Sequence, residues 1–305
     1  MVMEVASISL NILTLFPIYG GQQMWKMSKK KSLVSSFIVI LSAFMLPFNA
    51  CAASDNPLAK VKTYKIYYDS PTPDLLEKMQ ELDAVMIEPV FYSQEQIQVI
   101  QQSGTKVYGY INIMEADKWN TELFNQLNEN DFFYRNQKRV YYPEWDSYLM
   151  DITSIHYREI LLNEVTTQIS AKGLDGIFLD TVGNIDNEHW NSQDILKEQR
   201  NGLVSLLQKI QEKHPKLSMI QNWGFDTLKT ATFPYVDGIM WENYNYSTVS
   251  NDQWSQNRIK DLETLRNQAG IQILTVSFSE ETNSTNYAEL HGFIHYHEPD
   301  HYNSW

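Results

Sequence analysis

Five carboxylates in this sequence stand directly behind short apolar runs. Asp69 follows Tyr67-Tyr68, Glu88 follows Met86-Ile87, Glu115 follows Ile113-Met114, Asp180 follows Phe178-Leu179, and Glu242 follows Met240-Trp241. One such acid is an ordinary helix cap or loop residue. Five gathered at one end of a sheet would repel one another and cost stability, so their gathering implies a use. Two carboxyl groups flanking a glycosidic bond can hydrolyse it: one protonates the leaving oxygen, and the other attacks the sugar or activates water. Aromatic residues accompany them. Trp119, Trp145, Trp190, Trp223, Trp241, Tyr110, Tyr244 and Tyr246 lie on or just beyond the same run ends, where flat faces can stack on sugar rings. Together they point to a carbohydrate cleft.

Other chemistries lack their residues. There is no GxSxG elbow for a serine nucleophile. The single cysteine, Cys51, excludes a disulfide framework and a CxxC metal site. Four of the seven histidines, His291, His295, His297 and His301, fall near the C-terminus. The His295-Tyr296-His297 triplet is read as splitting its imidazoles between the two faces of a strand, so no metal site is assigned. No GxGxxG or GxxxxGK[ST] follows an apolar run, so no nucleotide cofactor is expected. A net charge of -13 repels phosphate and argues against a nucleic-acid partner. It suits a neutral or cationic polymer.

These residues need a scaffold that brings run ends together. Apolar runs at 63–68, 84–88, 106–113, 176–179, 217–221, 238–241, 273–277 and 292–296 read as eight strands. Several are apolar at consecutive positions, Val85-Met86-Ile87 and Ile177-Phe178-Leu179 among them, as expected of strands covered on both faces. Helical patterns at 93–103, 154–172, 192–213 and 252–269 alternate with them, with Leu161, Val165 and Ile169 spaced four apart beside Ile160. Alternation of this kind predicts parallel βα units, and eight of them predict a (β/α)8 barrel in one domain, with catalytic groups at the C-terminal ends of the strands. Strands four and six are separated by one strand, so Asp180 and Glu242 can converge across the mouth. Asp175 and Asp237, each followed by glycine at the opposite strand ends, read as structural turn or cap residues.

Lys29-Lys30-Lys31, then sixteen uncharged residues from Ser32 to Pro47, then Ala50-Cys51-Ala52-Ala53 have the order of a secretory signal peptide. The apolar run is short for a membrane span, so no stable span is expected in the mature protein. Residues before Met24 follow none of this logic and read as an extension upstream of the true start. Segment 1–53 is thus expected to be for export and 54–305 to be the barrel domain. The alternative is lipid anchoring at Cys51. Removing residues 1–52 leaves 20 basic and 36 acidic side chains, near -16, in a chain expected to be monomeric.

Gly173-Leu174-Asp175-Gly176-Ile177-Phe178-Leu179-Asp180-Thr181 resembles the strand-four signature of glycoside hydrolase family 114, the endo-α-1,4-polygalactosaminidases, and of the related hydrolase domains of Pel-type exopolysaccharide systems. Tyr110-Ile111-Asn112-Ile113-Met114-Glu115-Ala116 is similar to the family's strand three, Gln221-Asn222 to strand five, and Val236-Asp237-Gly238-Ile239-Met240-Trp241-Glu242 to strand six. The resemblance implies a (β/α)8 hydrolase of galactosamine-containing polysaccharide, with Asp180 as nucleophile, Glu242 as general acid/base, a retaining outcome and no cofactor. Asp69, Glu88, Tyr110, Glu115, Asp151, Asn222, Trp223, Trp241 and Tyr244 are the expected substrate-binding residues, Glu115 and Asp151 toward sugar amines. A polysaccharide-binding barrel without turnover is the alternative; it would keep the aromatics without needing both acids.

Overall fold

The computed structural model describes residues 56–305, so the export segment and Cys51 lie outside the described residues. Eight parallel strands form one sheet in chain order: β1 Tyr64–Tyr67, β2 Ala84–Ile87, β3 Lys106–Asn112, β4 Gly176–Asp180, β5 Ser218–Asn222, β6 Gly238–Trp241, β7 Gln272–Ser277 and β8 Ile294–His297. This is the expected (β/α)8 barrel. Helices α1 Pro73–Met79, α2 Gln94–Gln101, α3 Ile155–Glu164, α4 Gln193–Lys213, α5 Gln253–Ala269 and α6 Glu281–Leu290 cover the outside. Local sequence starts them: Thr72, Ser154 and Asp252 accept backbone N–H groups at the starts of α1, α3 and α5, and Ser93 with Gln96 forms a capping box on α2.

Alternation along each strand divides the core in two. Tyr64, Ile66, Met86, Tyr108, Phe178, Ile220, Met240, Leu274 and Val276 fill the barrel interior. Val85, Ile87, Val107, Ile177, Leu179, Met219, Ile239 and Ile273 face the helices. Strands β2 to β7 are therefore apolar on both faces, and every residue of β2 is buried. The interior is tight at Gly176, where a Cβ would stand 2.4 Å from the Tyr108 ring and 2.4 Å from the Ser218 carbonyl oxygen.

Seven backbone ladders join the eight strands, and among the described residues none joins β8 to β1. Side chains and the segment after β8 close this seam. Tyr64 Oη donates to the Thr275 carbonyl at 2.8 Å and its ring meets Tyr296 edge-on at 5.7 Å. Segment 298–305 then crosses to β1, where the Tyr68 N–H donates to the Tyr302 carbonyl at 2.8 Å and Trp305 packs edge-on against Tyr67.

Between β3 and α3 the chain builds an antiparallel sheet of Glu115–Asp117, Ser147–Leu149 and Tyr141–Tyr142, with a hairpin of Tyr134–Arg135 and Lys138–Arg139 beside it in sequence. These strands of two or three residues are too short to carry a readable period, and the sequence gives no element there. Among the described residues no helix is long and apolar enough to cross a membrane.

Candidate active site

Interior alternation carries the site residues to the mouth. Asp180 stands two residues past Phe178, Asn222 two past Ile220 and Glu242 two past Met240, so all three continue interior-facing rows. Ile220 pairs with Phe178, which sets Asn222 level with Asp180 on the neighbouring strand. Each of the three is followed by a non-glycine residue in the left-handed region: Thr181 at φ +60°, Trp223 at +54° and Asn243 at +61°. Left-handed backbone costs an ordinary residue about 1–2 kcal/mol, and here it turns the chain away immediately behind the functional side chain.

The Asn222 amide ties the carboxylates together. Its Nδ2 donates to Asp180 Oδ1 at 2.7 Å and to Glu242 Oε2 at 2.8 Å. Two oxygens on one nitrogen can stand no farther apart than the two bonds end to end, about 5.5 Å. The other Glu242 oxygen, Oε1, accepts from the Tyr302 hydroxyl at 2.5 Å. A pocket opens over the pair, lined by Asp180, Asn184, Asn187, Asn222, Trp223 and Glu242.

Burial raises the Glu242 pKa from its ordinary value, and the charge of Asp180 raises it further; hydrogen bonds from Asn222 and Tyr302 pull the other way. Burial also raises the hydroxyl pKa values of Tyr68 and Tyr110, with the charge of Asp180 adding to both, so these two stand near Asp180 as neutral groups. Thr181 fixes the β3 side: its hydroxyl donates to Asn112 Oδ1 at 2.6 Å and accepts from the Met114 N–H at 2.8 Å.

The structure brings Asp180, Glu242, Asn222, Trp223 and Tyr110 together and separates the rest of the expected set. Trp241 and Tyr244 are 2% and 0% exposed and pack edge-on at 5.1 Å, with Trp241 also against Phe225. Their rings are core, and this corrects the expectation that they contact substrate: Trp241 is on the row of β6 that faces the helices, and Tyr244, past the strand end, packs into the same cluster. Glu88 is buried, accepts from the Val90 N–H at the start of a short 3-10 turn, and its pKa is pushed up to about 8 chiefly by burial. It therefore holds a proton at neutral pH and offers no free anion to an amine. Glu115 is buried under Asn184, whose amide donates to it at 2.7 Å, and it supports a pocket residue from behind. Asp151 accepts from Thr153 and from Gln199 of α4, closing a turn. Asp69 is exposed, bonded to the Ser70 N–H, and is not among the pocket residues.

Trp119 and Trp190 are 53% and 70% exposed, Trp145 and Tyr246 are also exposed, and Trp119 stacks on Phe91 at 6.4 Å. Trp223 stacks on Trp254 at 6.3 Å beside the carboxylates. His295 and His297, two apart on β8, share one face, contrary to the expectation that they diverge: Ser277 Oγ lies 3.0 Å from His295 Nε2 and 2.9 Å from His297 Nδ1. Burial, with His297 beside it, pushes the His295 pKa down to about 4. Asp175 and Asp237 accept the N–H groups of Val107 and Met219 and are structural, as expected. Sequence reasoning missed Asn184, Asn187 and Tyr302; none ends an apolar run, and none lies in the segments that carry the family resemblance.

The description of glycoside-hydrolase family GH114 matches residues 47–292. No curated protein matches the chain significantly. Solved structures with the same fold include the glycoside hydrolase domain of PelA from Pseudomonas aeruginosa, 18% identical with a TM-score of 0.62 over 80% of this chain and 97% of that one. Ega3 of Aspergillus fumigatus, solved in complex with galactosamine, is 16% identical, with a TM-score of 0.57 over 78% of this chain and 91% of that one. The α-galactosidase TtGalA of Thermus thermophilus, solved with stachyose, is 12% identical, with a TM-score of 0.51 over 79% of this chain and 62% of that one.

Proposed function

From the premise that the chain belongs to glycoside-hydrolase family GH114 and is a glycoside hydrolase, we propose that it is a secreted, endo-acting, retaining enzyme that cleaves α-1,4-linked galactosamine polysaccharide. The observation that carries the reading is the single amide nitrogen bonded to both Asp180 and Glu242. Retaining enzymes hold their carboxyls about 5–5.5 Å apart and inverting enzymes about 6.5–9.5 Å; one nitrogen shared by an oxygen of each carboxyl keeps their facing oxygens close, in keeping with the shorter, retaining spacing.

Asp180 attacks the anomeric carbon while Glu242 gives its proton to the glycosidic oxygen; the C–O bond breaks, leaving a glycosyl ester on Asp180. Glu242, now a carboxylate, takes a proton from water, whose oxygen attacks the anomeric carbon and frees Asp180. The raised pKa of Glu242 supports the first half, since an acid must keep its proton at working pH. The amino sugar is supported by the galactosamine with which Ega3 was solved and by a pocket whose lining includes two acids and no basic residue. The export-type N terminus supports secretion. The test is incubation with purified galactosamine-rich exopolysaccharide and mass spectrometry of the products. A ladder of oligosaccharides is expected; no release from this polymer alongside cleavage of a neutral glycan would overturn the substrate.

A further inference from the structure

Tyr302 lies beyond residue 292, where the family match ends, and on the far side of the barrel seam from the strand it follows. We propose that Tyr302 is a positioning residue for the reaction, its hydroxyl locking the carboxyl of Glu242 in the orientation that proton transfer requires. The inference rests on the reading of Glu242 as general acid/base.

The terminal torsion of a glutamate is broad, so a carboxyl with one anchored oxygen can still swing. Glu242 has both oxygens anchored, Oε2 by Asn222 and Oε1 by Tyr302. The two anchors differ in kind. An amide nitrogen only donates, whereas a hydroxyl donates to a carboxylate and accepts from a carboxylic acid, so Tyr302 stays bonded through both halves of the cycle. Its ring cannot easily leave: Tyr68 meets it edge-on at 5.5 Å, Phe278 lies at 5.9 Å, and its carbonyl is held by the Tyr68 N–H. Trp305 fastens the segment further, packed on Tyr67 with Lys65 Nζ 5.3 Å from its ring centre.

The ionisable groups facing Glu242 are Asp180 from β4, Tyr64 from β1, Tyr68 just past its end, and Tyr302; Asn222 from β5 is neutral. Burial raises all three tyrosine hydroxyls far above the working range, so none of them carries charge there. Removing the Tyr302 hydroxyl leaves the carboxylate one donor fewer, and its proton should be held more tightly.

The experiment compares Tyr302→Phe with the wild type across pH, keeping the ring and its packing. On polymer or an activated glycoside, kcat should fall about tenfold with KM within about twofold, and the alkaline limb of kcat/KM should move to higher pH. Unchanged kcat and limb would overturn the inference, and so would a fall in kcat with an unmoved limb, the signature of packing alone. Glu242→Gln is measured in parallel. If it keeps activity, the acid/base reading fails; if it is inactive while Tyr302→Phe behaves as wild type, the failure belongs to Tyr302.

Discussion

The flank from β4 to β6 and the seam between β8 and β1 solve the same problem with different materials. On the flank, backbone ladders fix the register, and Asp180 and Asn222 sit at predictable heights on adjacent strands. At the seam no ladder exists among the described residues, and tyrosine rings, one side-chain bond to a carbonyl and the segment carrying Tyr302 close the barrel. Glu242 is held from both regions, by Asn222 on one oxygen and Tyr302 on the other. The difference teaches that sheet pairing places the two carboxyl groups, while a non-repeating segment supplies the second hydrogen bond to one of them.

The sharpest way to break this comparison is to remove the flank's chemistry. Asp180→Asn and Glu242→Gln are each expected to lower turnover by about 10³-fold or more while the far-ultraviolet circular dichroism stays unchanged; wild-type rates in either would remove the flank from catalysis. Asn222→Ala should cost about 10²-fold in kcat, the order seen when a fixed donor at a reacting centre is lost, and more than Tyr302→Phe. The reverse ranking, from steady-state rates of the two variants, would make the seam the stronger partner.

Glu88, at the end of β2 beside the seam strand, tests stability instead. Its pKa rises from 4.5 unfolded to about 8 folded, so between these values the unfolded chain has released a proton that the folded chain keeps. Stability should therefore fall as pH rises through that window. Glu88→Gln retains an acceptor for the Val90 N–H and should raise the thermal midpoint at pH 8 by about 3 °C or more, with no gain near pH 4.5; scanning calorimetry at both values decides. The smallest effect belongs to neither region. Apparent affinity for deacetylated polymer should fall a few-fold as salt rises from about 0.05 to 0.5 M, and a flat response would assign the chain's negative charge to solubility alone.

The flank was legible and the seam was not, for physical reasons. Buried parallel strands write themselves as apolar runs, and the acid that ends such a run located Asp180 and Glu242, while Asn222 came with the resemblance to the family's strand five. The same rule misled for Trp241 and Tyr244: an aromatic near a strand end is counted as mouth-facing unless the alternation is followed, and Trp241 is one residue out of phase with Glu242. Glu88 and Glu115 sit where expected, yet burial changes what they can do, and burial comes from neighbours distant in sequence. Tyr302 reaches Glu242 across 60 residues from a segment without periodicity, and nothing local announces it.

The left-handed residues behind Asp180, Asn222 and Glu242 also bear on how far this enzyme can be hardened for use at high temperature. Each joint holds conformational energy that glycine would release, less what glycine's freedom in the unfolded chain takes back. Thr181 cannot be exchanged without losing the hydroxyl that ties β3 to β4, nor Trp223 without losing a pocket wall. Asn243 is exposed and outside the pocket lining, so it alone is open to relief by Asn243→Gly. Two of the three strained joints are thus bound to the work of the mouth, and they set a ceiling on durability that improvement elsewhere in the barrel leaves in place.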